Sequence, residues 1–550
     1  MALFVAGGLA AQPVKPASSG PIFRELEDSG VDFIRFNGIA GDYLLPEITC
    51  AGAALLDFDR DGDLDLYLLQ GRDLIAGRSA AKLTDRLYRN DLVAGEGGEL
   101  TPRFVEVTTA AGLEVSGYGC GVAVGDYDRD GWADLYVANV GRNQLLRNRG
   151  DGTFADVTAV SGTDDDRWSV PVAWLDYDRD GWLDLYVGTY VEFEHAERKV
   201  CRSATGARDY CNPAAYAGEP DRLFRNRGDG TFEPRPLGSG TRPLASKSLG
   251  VVARDLNGDS RPDLYVTNDG VANQLWIQRP DGSFADQALL AGVALNGQGR
   301  AEASMGVAAG DVDGDGDLDL LMTHLVGETN TLYLNDGRGG FRDATVTTGL
   351  GPASWSFTGW GLAWIDYDND GRLDVAIANG AVRAIQELVD RGEIFPFRQS
   401  NQLFHHEGGH RYSEVTAAAG PVFTRAEVSR ALAAGDLDND GDRDLVLVNI
   451  AGPARVLLNA VGHESHWLGM RPLGEAAGTG ARLTRAAGPE IRRWSGTDGS
   501  FGAANDPALL FGLGAEPGRP GLRIYWPDGE TELTGPLPVD RYLVFGKTNP

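Results

Sequence analysis

Asp57-Phe58-Asp59-Arg60-Asp61-Gly62-Asp63-Leu64-Asp65 decides the fold of this chain, because its pattern returns six more times, beginning at Asp126, Asp176, Asp255, Asp311, Asp366 and Asp436. Each copy sets an oxygen side chain at positions 1, 3, 5 and 9. Each then runs into an apolar, β-rich segment such as Leu66-Tyr67-Leu68-Leu69 or Leu135-Tyr136-Val137-Ala138. The first three copies mark Asp57, Asp59, Asp61 and Asp65, then Asp126, Asp128, Asp130 and Asp134, then Asp176, Asp178, Asp180 and Asp184. The fourth and fifth mark Asp255, Asn257, Asp259 and Asp263, then Asp311, Asp313, Asp315 and Asp319. The last two mark Asp366, Asp368, Asp370 and Asp374, then Asp436, Asp438, Asp440 and Asp444.

A hard cation such as Ca²⁺ takes about 6–8 oxygen ligands. Four oxygen side chains, the carbonyl of position 7 and a water meet that demand, so the chain is expected to hold up to seven Ca²⁺. Gly at position 6, or at position 4 in the Asp255 copy, allows the tight turn. One acidic turn means only solubility. Seven clusters of unpaired carboxylates would repel one another, which favours a cation in each. An EF-hand loop closes with Glu at position 12 and is flanked by helices. Here position 9 is Asp and a strand comes at once.

The length of 550 residues, with 75 Gly and 4 Met, suits a long repeat array of short strands and Gly-rich turns. The formal charge is −29, and seven Ca²⁺ would bring it to −15 (−29 + 14). Much of the acidity is then ligand. A net negative chain argues against nucleic acid as partner. No run of 18 apolar residues provides a transmembrane helix. Residues 1–11 read as the apolar remnant of a signal peptide without its basic start. The chain is therefore expected to be secreted or periplasmic, where calcium is plentiful.

A second landmark comes after most loops: a turn and an aromatic strand start, as in Asn148-Arg149-Gly150-Asp151-Gly152-Thr153-Phe154 and Asn226-Arg227-Gly228-Asp229-Gly230-Thr231-Phe232. Looser forms end at Phe104, Phe284, Phe341 and Tyr412. Each unit reads as four strands, two flanking the acidic loop and two flanking this turn. The loop spacing of about 63 residues is long for a propeller blade of about 40–50 and allows insertions. The last unit lacks a fourth strand, and Phe23-Arg24-Glu25-Leu26 precedes the first loop. The expectation is an all-β, seven-bladed β-propeller over residues 21–460, closed by the N-terminal strand. A small β domain is expected over 461–550.

Two insertions break the period. Tyr190 to Pro220 contains Cys201 and Cys211, which an exported chain is expected to join as a disulfide. Ala381 to Arg391 has helical character and is expected to cap one face. Cys50 and Cys120 occupy near-equivalent places ahead of the first two loops, and their state is open from sequence.

The repeats resemble FG-GAP/VCBS units of integrin-type propellers. Several features are similar to the cartilage acidic protein family, which carries a C-terminal ASPIC/UnbV domain. They are the Phe23 segment, Pro46-Glu47, the Cys201/Cys211 insertion before Asp221-Arg222-Leu223-Phe224-Arg225-Asn226, Phe511-Gly512-Leu513-Gly514 and Trp526-Pro527-Asp528-Gly529. The resemblance implies a secreted calcium-binding propeller with adhesion or matrix roles. The tail departs from that family in lacking the Asn-containing turn before Gly478-Thr479-Gly480-Ala481.

Other motifs compete less well. His406-Glu407-Gly408-Gly409-His410 has the letters of a zinc-protease motif, but that chemistry needs a helix and this stretch reads as a hairpin turn. The two Arg-Gly-Asp tripeptides, at Arg149 and Arg227, also fall in turns. Glu47, Trp168, Lys247, Glu302, Trp360 and Arg430 stand just ahead of the inner strands and are expected to line a central funnel. Two functions are open. One is a binding or scaffold protein whose partner is a protein, glycan or small molecule. The other is a lyase, hydrolase or cyclase using Lys247, Glu302, Glu47 or Arg430 as acid, base or clamp.

Overall fold

The computed structural model describes residues 20–75, 83–95, 98–194, 199–203, 206–238, 245–472, 478–485, 489–515 and 518–546. The signal-peptide expectation for residues 1–11 lies outside them. The chain is all-β, with only short helices, and its architecture is β-propeller-like.

The first acidic loop joins Ala53–Leu56 to Asp65–Leu68. Arg86–Asn90 and Phe104–Glu106 extend the same antiparallel sheet. The other six loops each join the first two strands of a comparable sheet. First and second strands are apolar without alternation because both faces are covered by neighbouring sheets; Ala53–Leu56 is buried at every residue. It packs beside Gly119–Gly125 on one side and Ser429–Gly435 on the other. The expected aromatic starts all open outer strands: Phe104, Phe154, Phe232, Phe284 and Phe341 begin theirs, and Tyr412 is second in Arg411–Glu414. Phe23–Glu25 pairs antiparallel with Arg455–Asn459, with Phe23 opposite Asn459. The last acidic-loop sheet thus takes its outermost strand from the start of the chain.

Position 9 of each acidic loop is the first residue of the second strand, and its carboxylate is a staple. Asp65 Oδ2 accepts from Phe58 N at 2.9 Å and Oδ1 accepts from Asn90 N at 2.8 Å, joining the loop, the second strand and the third. Asp134, Asp184, Asp263, Asp319, Asp374 and Asp444 repeat both bonds. The amide that ends the third strand then reaches into the preceding sheet. Asn148 Nδ2 donates to Phe58 O, Asn226 Nδ2 to Tyr127 O and Asn335 Nδ2 to Leu256 O, at 2.8–3.0 Å.

Both cysteine pairs are disulfides. Cys201–Cys211 is the expected bond inside the insertion. Cys50–Cys120 ties the segment just ahead of the first repeat sheet, at the end of the short helix Pro46–Thr49, to the first strand of the second sheet, Gly119–Gly125. The second insertion has one short helix, Gln386–Asp390. Among the described residues no helix is long and apolar enough to cross a membrane.

The tail forms two sheets around its own core of Leu468, Leu483, Phe511, Leu522 and Ile524. It sits on the acidic-loop face: Arg471 Nη1 donates to Gly62 O at 2.6 Å and Arg492 Nη1 to Gly316 O at 2.8 Å. One tail segment, residues 497–506, enters the space between the first strands. Thr497 Oγ1 donates to Val124 O, Asp498 Oδ2 accepts from Ala253 N, and Ala503–Ala504 runs parallel to Ala53 and Ala54. Ser500 exchanges backbone bonds with Val307, accepts Leu362 N on Oγ and donates Oγ–H to Leu432 O. The expected open funnel is therefore filled from the acidic-loop side. Exposed first-strand groups in the middle of the molecule need partners, and the tail supplies them.

Candidate metal centres

The acidic loops fold through two left-handed positions. Arg60 at position 4 has φ +60° and Gly62 at position 6 has φ +96°; in the fourth loop the order is reversed, with Gly258 at +77° and Ser260 at +65°. This winding turns position 1 inward, where Gly62 N donates to Asp57 Oδ2 at 3.1 Å. Carboxylates then converge. One ligand atom each from Asp57, Asp59 and Asp61 lies within 4.8 Å of the others, and so do those of Asp126, Asp128 and Asp134, of Asp176, Asp178 and Asp184, and of Asp311, Asp313 and Asp315.

Several of these oxygens are buried with no hydrogen-bond partner: Oδ1 of Asp57 and Asp59, of Asp176 and Asp178, of Asp366 and Asp368, and of Asp128 and Asp438. A buried, unpaired carboxylate is costly. Burial, with the neighbouring carboxylates adding to it, pushes Asp57 and Asp176 up to about 6 and Asp368 up to about 7. A divalent cation held among the orphaned oxygens removes both costs. The donor sets thus fit a hard oxygen-seeking ion. Surrounding cations answer part of the charge. Arg147 bridges Asp128 and Asp130, Arg225 bridges Asp178 and Asp180, and His405 Nδ1 lies 3.2 Å from Asp374. Of the sequence-marked residues, position 9 is the one whose two oxygens already accept backbone N–H groups throughout.

The tail touches the same loops. Tyr542 Oη donates to Asp436 Oδ2 at 2.6 Å, and Arg493 Nη2 lies 3.5 Å from Asp366 Oδ2. Sequence reading misses these contacts because nothing local in the tail marks which loop it meets.

Of the residues expected to line the funnel, only Lys247 and Trp360 border the large cavity at one end of the first strands. Arg430 is fully buried against the Trp360 ring, 4.2 Å from its centroid. Its guanidinium is spent on the carbonyls of Ile48, Gly380, Ala381 and Ser429. Glu47 is buried and accepts from Tyr210 Oη at 3.3 Å; burial pushes its carboxyl up to about 7. Glu302 accepts from Asn296 Nδ2. Lys247 Nζ donates to Pro213 O at 2.9 Å and borders a cavity of about 830 Å³, which it shares with Trp360 but not with Glu302 or Glu47. That cavity also takes in Asp269, Glu328 and Arg383 and lies at the opposite end of the first strands from the acidic loops. Trp168 packs edge-on against Tyr190 in the core behind it.

His406-Glu407-Gly408-Gly409-His410 is the expected hairpin: Gln402–Gly408 turns into Arg411–Glu414. The Arg-Gly-Asp copies are turns too, with Asp151 and Asp229 each accepting from a Thr two residues on.

A model of the FG-GAP-like repeat matches residues 57–137, 126–187, 214–266, 255–322 and 325–377, and one of ASPIC and UnbV matches 471–550. Human cartilage acidic protein 1 is 28% identical over 54% of this chain and 43% of its own length. The mouse protein is 28% identical over 51% and 42%. The match thus spans under half of these curated relatives. A solved Agrocybe aegerita lectin structure, described as recognising non-reducing terminal N-acetylglucosamine, superposes with a TM-score of 0.34. It has 16% identity and covers 75% of this chain and 96% of its own.

Proposed function

Since this chain belongs to the FG-GAP-repeat proteins that carry an ASPIC/UnbV domain, the family of the cartilage acidic proteins, we propose that it is a calcium-binding scaffold. In this reading residues 21–460 form a seven-bladed propeller, closed by the Phe23 strand, and 461–550 form an ASPIC/UnbV-like domain seated on its metal face. Ca²⁺ in the acidic loops neutralises the clustered carboxylates and stiffens each blade. The opposite face, with its large cavity, is left to contact a protein, glycan or small molecule. Two disulfides suit an oxidising compartment outside the cytosol.

The single observation that carries this reading is the set of buried carboxylate oxygens without partners, recurring at equivalent positions of several loops. Calcium titration of chelator-stripped protein, monitored by calorimetry, tests it. Uptake of several equivalents is expected, reduced in Asp57→Asn/Asp59→Asn. No uptake would overturn it. The enzyme reading draws less support from the geometry, because of its four candidate residues only Lys247 borders the large cavity directly.

A further inference from the structure

The last acidic loop differs from the other six in the turn that packs against it. Its position 7 is Asp442, fully buried, whereas the equivalent Asp63 and Asp317 of the first and fifth loops are partly exposed. The chain leaves the last repeat strand, Arg455–Asn459, and turns through Gly462–Glu464 before entering the tail strand His466–Pro472. That turn is pressed onto Asp442. A Cβ added at Gly462 would lie 2.5 Å from Asp442 Cβ and 2.9 Å from Asp442 Oδ2. Glycine there lets His463 reach the loop, with Nδ1 3.3 Å from Asp440 Oδ2 and 3.3 Å from Asp442 Oδ2.

We propose that Asp440, Asp442 and His463 form a second kind of metal site, for a zinc-class divalent ion, at the joint between the repeats and the tail. Three ligand atoms, one from each residue, lie within 4.8 Å of one another. Around a tetrahedral ion with bonds of about 2.0–2.2 Å, neighbouring ligand atoms stand about 3.3–3.6 Å apart, and His463 Nδ1 lies 3.3 Å from an oxygen of each carboxylate. An independent observation points to a ligand. Asp442 Oδ1 is buried and has no hydrogen-bond partner, although Oδ2 of the same carboxylate accepts His463 N at 2.9 Å. The imidazole sets the chemistry. Ca²⁺ seeks oxygen, whereas a nitrogen donor beside two carboxylates suits zinc, cobalt or nickel. The site shares Asp440 with the last calcium loop and would take it through Oδ2, the oxygen beside His463, while Oδ1 accepts Asp442 N at 3.1 Å; among the described residues the other six loops meet no such turn. An ion here would pin the linker to the last repeat and so hold the tail in place.

Cobalt(II) titration of chelator-stripped protein, refilled with excess calcium, tests this. One equivalent of Co²⁺ is expected, with visible ligand-field bands. His463→Ala and Asp442→Asn should each weaken its binding by at least about tenfold, the range over which metal affinity responds even to supporting residues. Because the His463 side chain is partly solvent-facing, its variant should fold as the parent does, and it decides the matter should Asp442→Asn not fold. Absence of Co²⁺ uptake, or uptake undiminished in His463→Ala, would overturn the proposal and leave His463 an ion-pair partner of the two carboxylates.

Discussion

Asn90 Nδ2 donates to Leu437 O at 2.9 Å, so the first acidic-loop sheet is tied to the last by the same bond that joins consecutive sheets. The slot is filled by Asn148, Asn226, Asn335 and Asn459, and by Gln278 in the fourth sheet. Asn90 is buried, and its loss strands a buried carbonyl. Asn90→Ala should cost about 1–3 kcal/mol in urea unfolding, against almost nothing for an exposed asparagine.

The sixth sheet breaks the rule. His406 stands in the slot, stacked on Tyr412 with centroids 4.7 Å apart, and both its ring nitrogens are buried without a partner. His406→Asn should supply the missing donor and raise stability by about 1 kcal/mol, read as a higher midpoint in urea. An unchanged or lower midpoint would show that ring packing outweighs the bond.

Phe501 stands at the tip of the tail segment, fully buried and edge-on to Trp360 at 4.7 Å. Phe501→Ala should cost about 3–5 kcal/mol, the usual range for a buried phenylalanine. The loss should register as earlier release of the tail in limited proteolysis.

Glu47 carries a pH dependence with a definite sign. Its carboxyl rises from 4.5 to about 7 in the folded protein, chiefly through burial. The folded state therefore favours the proton. That contribution is complete below pH 4.5 and is lost as pH rises through about 7. Glu47→Gln should remove it, so the variant gains on the parent by up to about 3 kcal/mol between about pH 5 and pH 8. Both proteins must be saturated with calcium, so that loop carboxylates cancel in the difference.

Much of the fold is legible in the sequence for a local reason. The acidic loops, the Gly-Asp turns and the aromatic strand starts are short patterns, and period and register come from their order; counting strands is enough to set Phe23 beside the last repeat. What escapes a sequence reading depends on distant partners. The Cys50–Cys120 bond needs the approach to the first sheet set beside the first strand of the second. Arg430 reads as a funnel charge until the carbonyls of Ile48 and Gly380 are seen around it. The 497–506 segment shows mainly small and polar residues, with no sign that six first strands bind it. Position 9 is marked by sequence as a ligand, yet its two backbone bonds are visible only in the folded sheet.

The claim on which the account rests is that the acidic loops are cation cages. The most direct test is thermal unfolding of purified protein with excess Ca²⁺ and with a chelator. Each site filled at about 100 Kd adds about 2.7 kcal/mol, so chelation should lower Tm markedly. Protein that melts at the same temperature in both conditions, and that carries no calcium by elemental analysis, would contradict it.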